Sequence, residues 1–405
     1  MTHARRNGLL AALLLVVFAA VAVWAMPKVL RRTQMQGIHA VTVARGLERP
    51  WSLAFLPDGR MLVTERPGRM RIVQADGRLG TPIAGLPPVV EEGEGGLLDV
   101  ALDPKFKDNA TLYWSYAEPA PAGQEGSSTA VARGRLVEQD AGTGTGTGTG
   151  AVADAGAASG PGPRLTDVRV IFRQPEKLKD TVHFGSRLLF APDGTLFVTL
   201  GDRWHRNDAQ DLGSAHAKIM RMGPDGQAPA DNPFVKREGA LPIIWTYGNR
   251  NVQGIAFHPT TGELWATEHG QSGGDELNLI QPGRNYGWPV ITYSCEYKTC
   301  AKIGEGTHKA GMEQPVAWWG PKSLAPSGMA FVTSDRYPEW KGQMFIGSLT
   351  ELAVLRLKIE GHQVVEQQHI ATALHERIRD VRQGPDGWLY VLTDSAQGRV
   401  IRLER

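Results

Sequence analysis

The chain has 405 residues, 41% of them hydrophobic and 21% charged, which is the composition of a folded protein with ample material for a large core. Its 44 basic and 42 acidic side chains leave a formal net charge of +2, so nothing in the charge balance suggests a nucleic-acid surface. The 48 glycines and 26 prolines favour a turn-rich, mostly β architecture, either several domains or one built from repeats.

In chain order, Arg5 and Arg6 precede an apolar run over residues 9–26, LLAALLLVVFAAVAVWAM. A basic flank before a short apolar core describes an export signal, and the run is long enough to anchor in a membrane if it is not cleaved. Residues 1–26 are therefore expected to be a signal peptide or anchor, 27–40 a tether, and 41–405 one folded domain. This places the protein in the periplasm or outside the cell, with membrane contact only through that segment. VTVARGLERPWSLAF, from Val41, is expected to be a first strand entering the first hairpin.

One pattern then recurs: apolar strand, Pro/Asp/Gly-type turn, apolar strand with a polar or small end. It appears at residues 53–65 (LAFLPDGRMLVTE), 188–200 (LLFAPDGTLFVTL), 255–270 (IAFHPTTGELWATEHG) and 381–394 (VRQGPDGWLYVLTD). Looser versions occupy 100–118 and 329–350, which makes six units. Six hairpin-based units point to an all-β, six-bladed β-propeller of four-stranded antiparallel blades. Residues 141–163, AGTGTGTGTGAVADAGAASGPGP, have too few large apolar groups to offset their ordering entropy. They are expected to be a disordered insertion at a hairpin tip. Short helical turns are expected only at residues 208–217. Cys295 and Cys300 are the sole cysteines, and in an exported chain they are expected to form a disulfide.

Four clusters carry candidate chemistry. His183 opens the central hairpin segment and Asp202 closes it, and a histidine oriented by a carboxylate is a general base. The competing reading is a packed structural histidine. Arg250 and Asn251 in YGNRN offer donors for a carboxylate, or else form a surface turn. Residues 268–289 mix Glu268, Asp275 and Glu276 with glycines and free carbonyls, a setting that suits calcium, or else a polar loop between blades. Arg377 and Arg379 fall on one face of a strand by alternation, which is favourable only with an anion between them. In a propeller all four clusters converge on one end of the central channel.

Taken together, GLERPWSLAFLPDGRMLVTER, EGGLLDVALDP, HFGSRLLFAPDGTLFVTLGDR, YGNRNVQG, EHG with DELN and NYGWP, and RIRDV with PDG and YVLTD resemble the soluble pyrroloquinoline-quinone (PQQ)-dependent sugar dehydrogenases of the glucose/sorbosone group, over about residues 41–404. That resemblance implies a six-bladed propeller that oxidises aldoses at the anomeric carbon to lactones, with PQQ and Ca2+ as cofactors. It implies His183 as base, with Asp202 and Arg250 beside it. Cofactor contacts would come from Glu94, Arg250, Asn251, Tyr297, Arg377 and Arg379. Metal ligands would come from Gly270 and Gln271, and from Glu276 and Tyr286 at a second calcium. Two positions depart from the family pattern. Glu94 stands where glutamine is common, and Thr350 where some members have lysine, and both changes remove positive balance from the cofactor pocket. A calcium-dependent lactonase or a non-catalytic binding propeller are the alternatives this leaves. Sugar choice lives in the loops between blades, and the electron acceptor has no signature in the motifs.

Overall fold

The computed structural model describes residues 37–138 and 162–405. The expected signal segment and most of the expected insertion fall outside those residues. The described chain forms six four-stranded antiparallel sheets. The first blade comprises β2 (Pro50–Phe55), β3 (Met61–Glu65), β4 (Arg69–Val73) and β5 (Leu79–Pro82). The second comprises β6 (Leu97–Leu102), β7 (Thr111–Pro119), β8 (Ser127–Val137) and β9 (Arg164–Arg173), with a single helical turn, α1 (Phe106–Asn109), before β7. The third comprises β10 (Leu188–Phe190), β11 (Leu196–Leu200), β12 (Lys218–Met222) and β13 (Ile244–Tyr247). The fourth comprises β14 (Val252–Phe257), β15 (Leu264–Glu268), β16 (Asp275–Ile280) and β17 (Ala317–Trp319). The fifth comprises β18 (Pro326–Phe331), β19 (Met344–Ser348), β20 (Val354–Glu360) and β21 (Gln363–Ile370). The sixth has β22 (Ile378–Gln383), β23 (Leu389–Thr393) and β24 (Gly398–Glu404), and its fourth strand is β1 (His39–Leu47).

The six hairpins legible in the sequence are the first two strands of each blade. The PDG turn at 192–194 forms as expected: Gly194 has φ +84° and donates its N–H to the Ala191 carbonyl at 2.9 Å. The expectation for the first strand is corrected. β1 does not enter the first hairpin but pairs antiparallel with β24, from His39 opposite Glu404 to Leu47 opposite Gly398. It closes the ring by joining the two ends of the described chain in one sheet, as the outermost strand of the sixth blade. The strands expected on either side of residues 141–163 are β8 and β9, which pair with each other. The expected helical turn is a single 3-10 turn at Arg206–Gln210.

Second strands such as Leu196–Leu200 and Met61–Glu65 are buried at every position, because neighbouring blades cover both of their faces. This explains why they read as unbroken apolar runs. The first strands carry a second feature that the pattern did not reveal. Five of the six (β2, β6, β14, β18 and β22) have a bulge at the same end. The extra residues include Trp51, Leu98, Gln253 and Arg379, and all four line one cavity. A bulge re-aims a side chain out of the pleat, so the fold turns one residue per blade toward a common centre.

Below that cavity, three buried charges, Asp99, Arg187 and Asp380, and the partly buried Arg382 cross the channel. Arg187 meets Asp380 at 3.0 Å and Asp99 at 3.8 Å, and Arg382 meets Asp380 at 3.0 Å and Asp99 at 3.2 Å. Asp380 also accepts the Leu53 N–H and Asp99 the Leu188 N–H, so the network ties blades one, two, three and six together. Asp380→Asn should therefore destabilise the protein by about 3–5 kcal/mol in urea unfolding, because the buried Arg187 and the partly buried Arg382 lose a shared partner. A loss under about 1 kcal/mol would show that the network is not structural.

Candidate active site

The central feature is a cavity of ≈ 480 Å³ at one end of the channel. That size suits a small organic ligand or cofactor. His183, Arg250, Asn251, Gly270, Gln271 and Tyr297 line it, together with Glu94, Arg377 and Arg379. The four clusters thus meet at one place. Asp202 lies directly behind His183. Glu276 and Tyr286 belong to a small void next door, described below.

His183 and Asp202 are brought together by backbone geometry. His183 has a left-handed backbone (φ +54°), and its carbonyl passes so close to Gly201 that a Cβ there would sit 1.9 Å from it. Only glycine allows that approach. The His183 N–H is held by the Glu94 carboxylate at 2.6 Å. Glu94, which the sequence suggested would face the cofactor, thus has an internal partner that accounts for one of its oxygens.

The His183 ring is 6% exposed, with Nδ1 2.7 Å from Asp202 Oδ1. Asp202 also accepts from Trp288 Nε1 at 2.9 Å and from the Trp204 N–H at 3.1 Å. Burial alone would raise the Asp202 pKa, but the hydrogen bond and charge of His183, the Arg250 charge and the Trp288 N–H outweigh it and hold it below the usual carboxylate range. An ionised Asp202 fixes the proton on Nδ1 and leaves Nε2 as a lone pair. Nε2 faces Arg250 Nη2 at 3.4 Å.

Arg250 is anchored through Nη1 to the carbonyls of His269 (3.1 Å) and Gly270 (2.6 Å), and its guanidinium lies 5.3 Å from the Trp288 ring centre. Its Nε, together with Arg379 Nε and Asn251 Nδ2, is buried without a hydrogen-bond partner. All three residues line the cavity, although these particular atoms are shielded from it. Arg66, which the sequence reading missed, adds a third arginine beside Arg377 and Arg379. The anion expected between those two is an internal carboxylate: Asp394 Oδ2 accepts from Arg377 at 3.1 Å and from Arg379 at 2.8 Å. Burial would raise the Asp394 pKa, yet the two arginines bring it down to about 2. Three arginines against one aspartate still leave this side of the cavity cationic. Thr350 is exposed and donates to the Ser323 carbonyl at 2.7 Å.

In the adjoining void, Glu268 and Glu276 lie on either side of Asn278, whose Nδ2 donates to both at 3.1 Å. Burial pushes both carboxyls up, Glu276 to about 8. Among the described residues no side-chain cation pairs with Glu276, and Asn278 Oδ1 has no partner. Two neighbouring carboxylates and the nearby Gly270 and Tyr286 line the void and offer the hard-oxygen setting that suits calcium.

At the mouth, Cys295 and Cys300 form the expected disulfide, and the short loop it closes carries Tyr297. Arg206 ties that loop to the 202–206 turn through Glu296 at 2.7 Å. Asp202 and His205 bracket the turn (His205 N–H to Asp202 carbonyl, 2.7 Å), and both central residues, Arg203 (φ +49°) and Trp204 (φ +65°), are left-handed. Turns of that kind usually take glycine or asparagine there. Trp204 was not singled out from the sequence, although an aromatic residue between Arg203 and His205 just beyond a polar strand end was a usable signal.

A family model for Glucose / Sorbosone dehydrogenase matches residues 47–402. The chain is 42% identical over 385 residues to an aldose sugar dehydrogenase of Escherichia coli, covering 94% of this chain and 95% of that one. It is 27% identical over 373 residues to quinoprotein glucose dehydrogenase B of Acinetobacter calcoaceticus, covering 85% and 71%. The apo-form structure of the soluble E. coli aldose sugar dehydrogenase superposes with a TM-score of 0.82 at 41% identity, covering 91% of this chain and 99% of that one. The PQQ-bound form of an aldose sugar dehydrogenase from Streptomyces coelicolor superposes with a TM-score of 0.70 at 29% identity, covering 92% and 99%.

Proposed function

The chain belongs to the glucose/sorbosone dehydrogenase family, and on that premise we propose that it is a quinoprotein aldose sugar dehydrogenase that oxidises the anomeric carbon to a lactone with PQQ and calcium. The observation that carries this reading is the pairing of an oriented base with a cationic wall in one cavity. His183, held by Asp202 through Nδ1, lines the cavity together with Arg66, Arg250, Arg377 and Arg379.

The residues fit the cofactors. Arg250, Asn251, Arg377, Arg379 and the previously unconsidered Arg66 suit a planar tricarboxylate. Glu268 and Glu276 suit a structural calcium, and the Gly270 and Gln271 carbonyls a second ion. When bound, the quinone accepts the hydride released from the sugar and calcium polarises that acceptor. His183 Nε2 takes the proton of the anomeric hydroxyl, and the ionised Asp202 stabilises the imidazolium that results. Arg250 sits where a donor meets the oxygen that gives up the proton. Trp51, Leu98 and Phe184 give the same cavity an apolar wall.

One further feature supports export, which the basic flank and apolar run at the N-terminus suggest: the Cys295–Cys300 disulfide suits an oxidising compartment.

The test is a quinone titration of the purified chain with calcium, followed by dye reduction with a panel of aldoses. Saturable quinone binding and sugar-dependent reduction are expected. Absence of both, or lactone hydrolysis without quinone, overturns the proposal.

A further inference from the structure

Trp204 is an anomaly that the fold does not explain. It is 45% exposed, so it contributes little to the core, and it occupies a left-handed position that disfavours every residue with a Cβ. Strain at a position with little packing to offset it points to a function there. Its ring stacks on the His183 ring, with centroids 5.2 Å apart and planes 29° apart. Tyr297 faces it across the mouth, with centroids 6.0 Å apart and planes inclined by 60°, and is also 45% exposed. Both aromatics stand on short restrained loops, one closed by the Cys295–Cys300 disulfide and the other by the Asp202–His205 turn, and the Arg206–Glu296 ion pair holds the two loops together. Tyr297 lines the cavity, with its hydroxyl 3.4 Å from Arg250, and Trp204 adjoins the cavity through its stack on the lining His183.

We propose that Trp204 and Tyr297 form an aromatic subsite that holds the sugar ring by its apolar C–H face. A pyranose with equatorial hydroxyls carries its axial C–H bonds in two flat patches, and such a patch packs on an aromatic face without losing the hydration of its hydroxyls. The stack covers only part of the indole, which is still 45% exposed. The sugar therefore lies with C1 at His183 Nε2 and the remainder of its ring, or a second ring linked to it, over Trp204 and Tyr297. The subsite selects aldoses with an unbroken C–H face. This rests on the dehydrogenase reading for its role in turnover, but not for binding.

The experiment uses the quinone- and calcium-loaded enzyme with methyl β-D-glucopyranoside, whose capped anomeric oxygen prevents oxidation, and with D-glucose. In Trp204→Gly the glycoside Kd and the glucose KM should each rise about 10-fold, while kcat falls less than threefold. Tm should stay level or rise, because glycine suits the left-handed turn. Trp204→Phe should remain close to wild type. An unchanged Kd in Trp204→Gly, a wild type that does not bind the glycoside, or a kcat loss at constant KM overturns the subsite, as does a fall in Tm with parallel loss of quinone. If the wild type binds the glycoside through Trp204 yet binds no quinone and oxidises no aldose, the dehydrogenase reading fails and the subsite stands.

Discussion

Replacing His183 with alanine is expected to lower kcat by about 10²–10⁴-fold and to leave quinone affinity close to that of the wild type. The split follows from what the imidazole touches. Nδ1 is committed to Asp202, and only Nε2 reaches the cavity, beside Arg250. The residues that suit the cofactor are held elsewhere: Arg250 by the His269 and Gly270 carbonyls, Arg377 and Arg379 by Asp394. The backbone at position 183 is held by the Glu94 carboxylate and by the close pass against Gly201, neither of which needs the side chain. The alanine variant thus loses a proton acceptor and keeps the pocket. Added imidazole should restore part of the turnover, since the gap it leaves lies against Asp202 and under Trp204. Stopped-flow reduction of the quinone-loaded variant by sugar, with and without imidazole, checks both points. A kcat within threefold of wild type removes His183 as the base, and loss of quinone binding reassigns it to the cofactor.

The parts of this molecule that were legible in the sequence are those fixed by local chemistry. The turn at 192–194 has one low-energy way to fold, and a strand covered on both faces must be apolar throughout, so the first hairpin of each blade stood out. The outer strands did not, because their exposed faces relax the pattern: β21, QVVEQQHI, is mostly polar and neither alternates nor forms an apolar run. The role of β1 was illegible for a topological reason, since its partner β24 lies at the far end of the chain. The site was legible as residues but not as geometry. Strand alternation put Arg377 and Arg379 on one face, whereas Arg379 is the bulged residue of β22 and both arginines converge on Asp394. Glu94 looked like an unfavourable charge until the His183 N–H gave it a partner.

The second large effect concerns Glu276. In metal-free protein its carboxyl is pushed up to about 8 from an ordinary 4.5, by burial first and then by the neighbouring Glu268 charge. Between those two values the folded protein binds more protons than the unfolded chain, so stability falls as pH rises from about 4.5 to 8. Glu268, also raised, adds to the same trend. Calcium reverses the balance, because a divalent ion between the two carboxylates favours the ionised forms that burial penalises. In EDTA, then, thermal and urea stability should drop from pH 5 to pH 8. Saturating calcium should recover about 2–4 kcal/mol at pH 8 and much less at pH 5, where the ion must displace protons. Glu276→Gln mimics the protonated carboxyl. It should be more stable than metal-free wild type at pH 8, show a shallower pH slope, and gain little from calcium. Omitting the quinone keeps any cofactor-bridging ion out of the comparison. Equal calcium stabilisation of wild type and Glu276→Gln at pH 8 would move the structural ion elsewhere. The void beside Asn278 would then have to be explained as a site that simply tolerates a neutral glutamic acid.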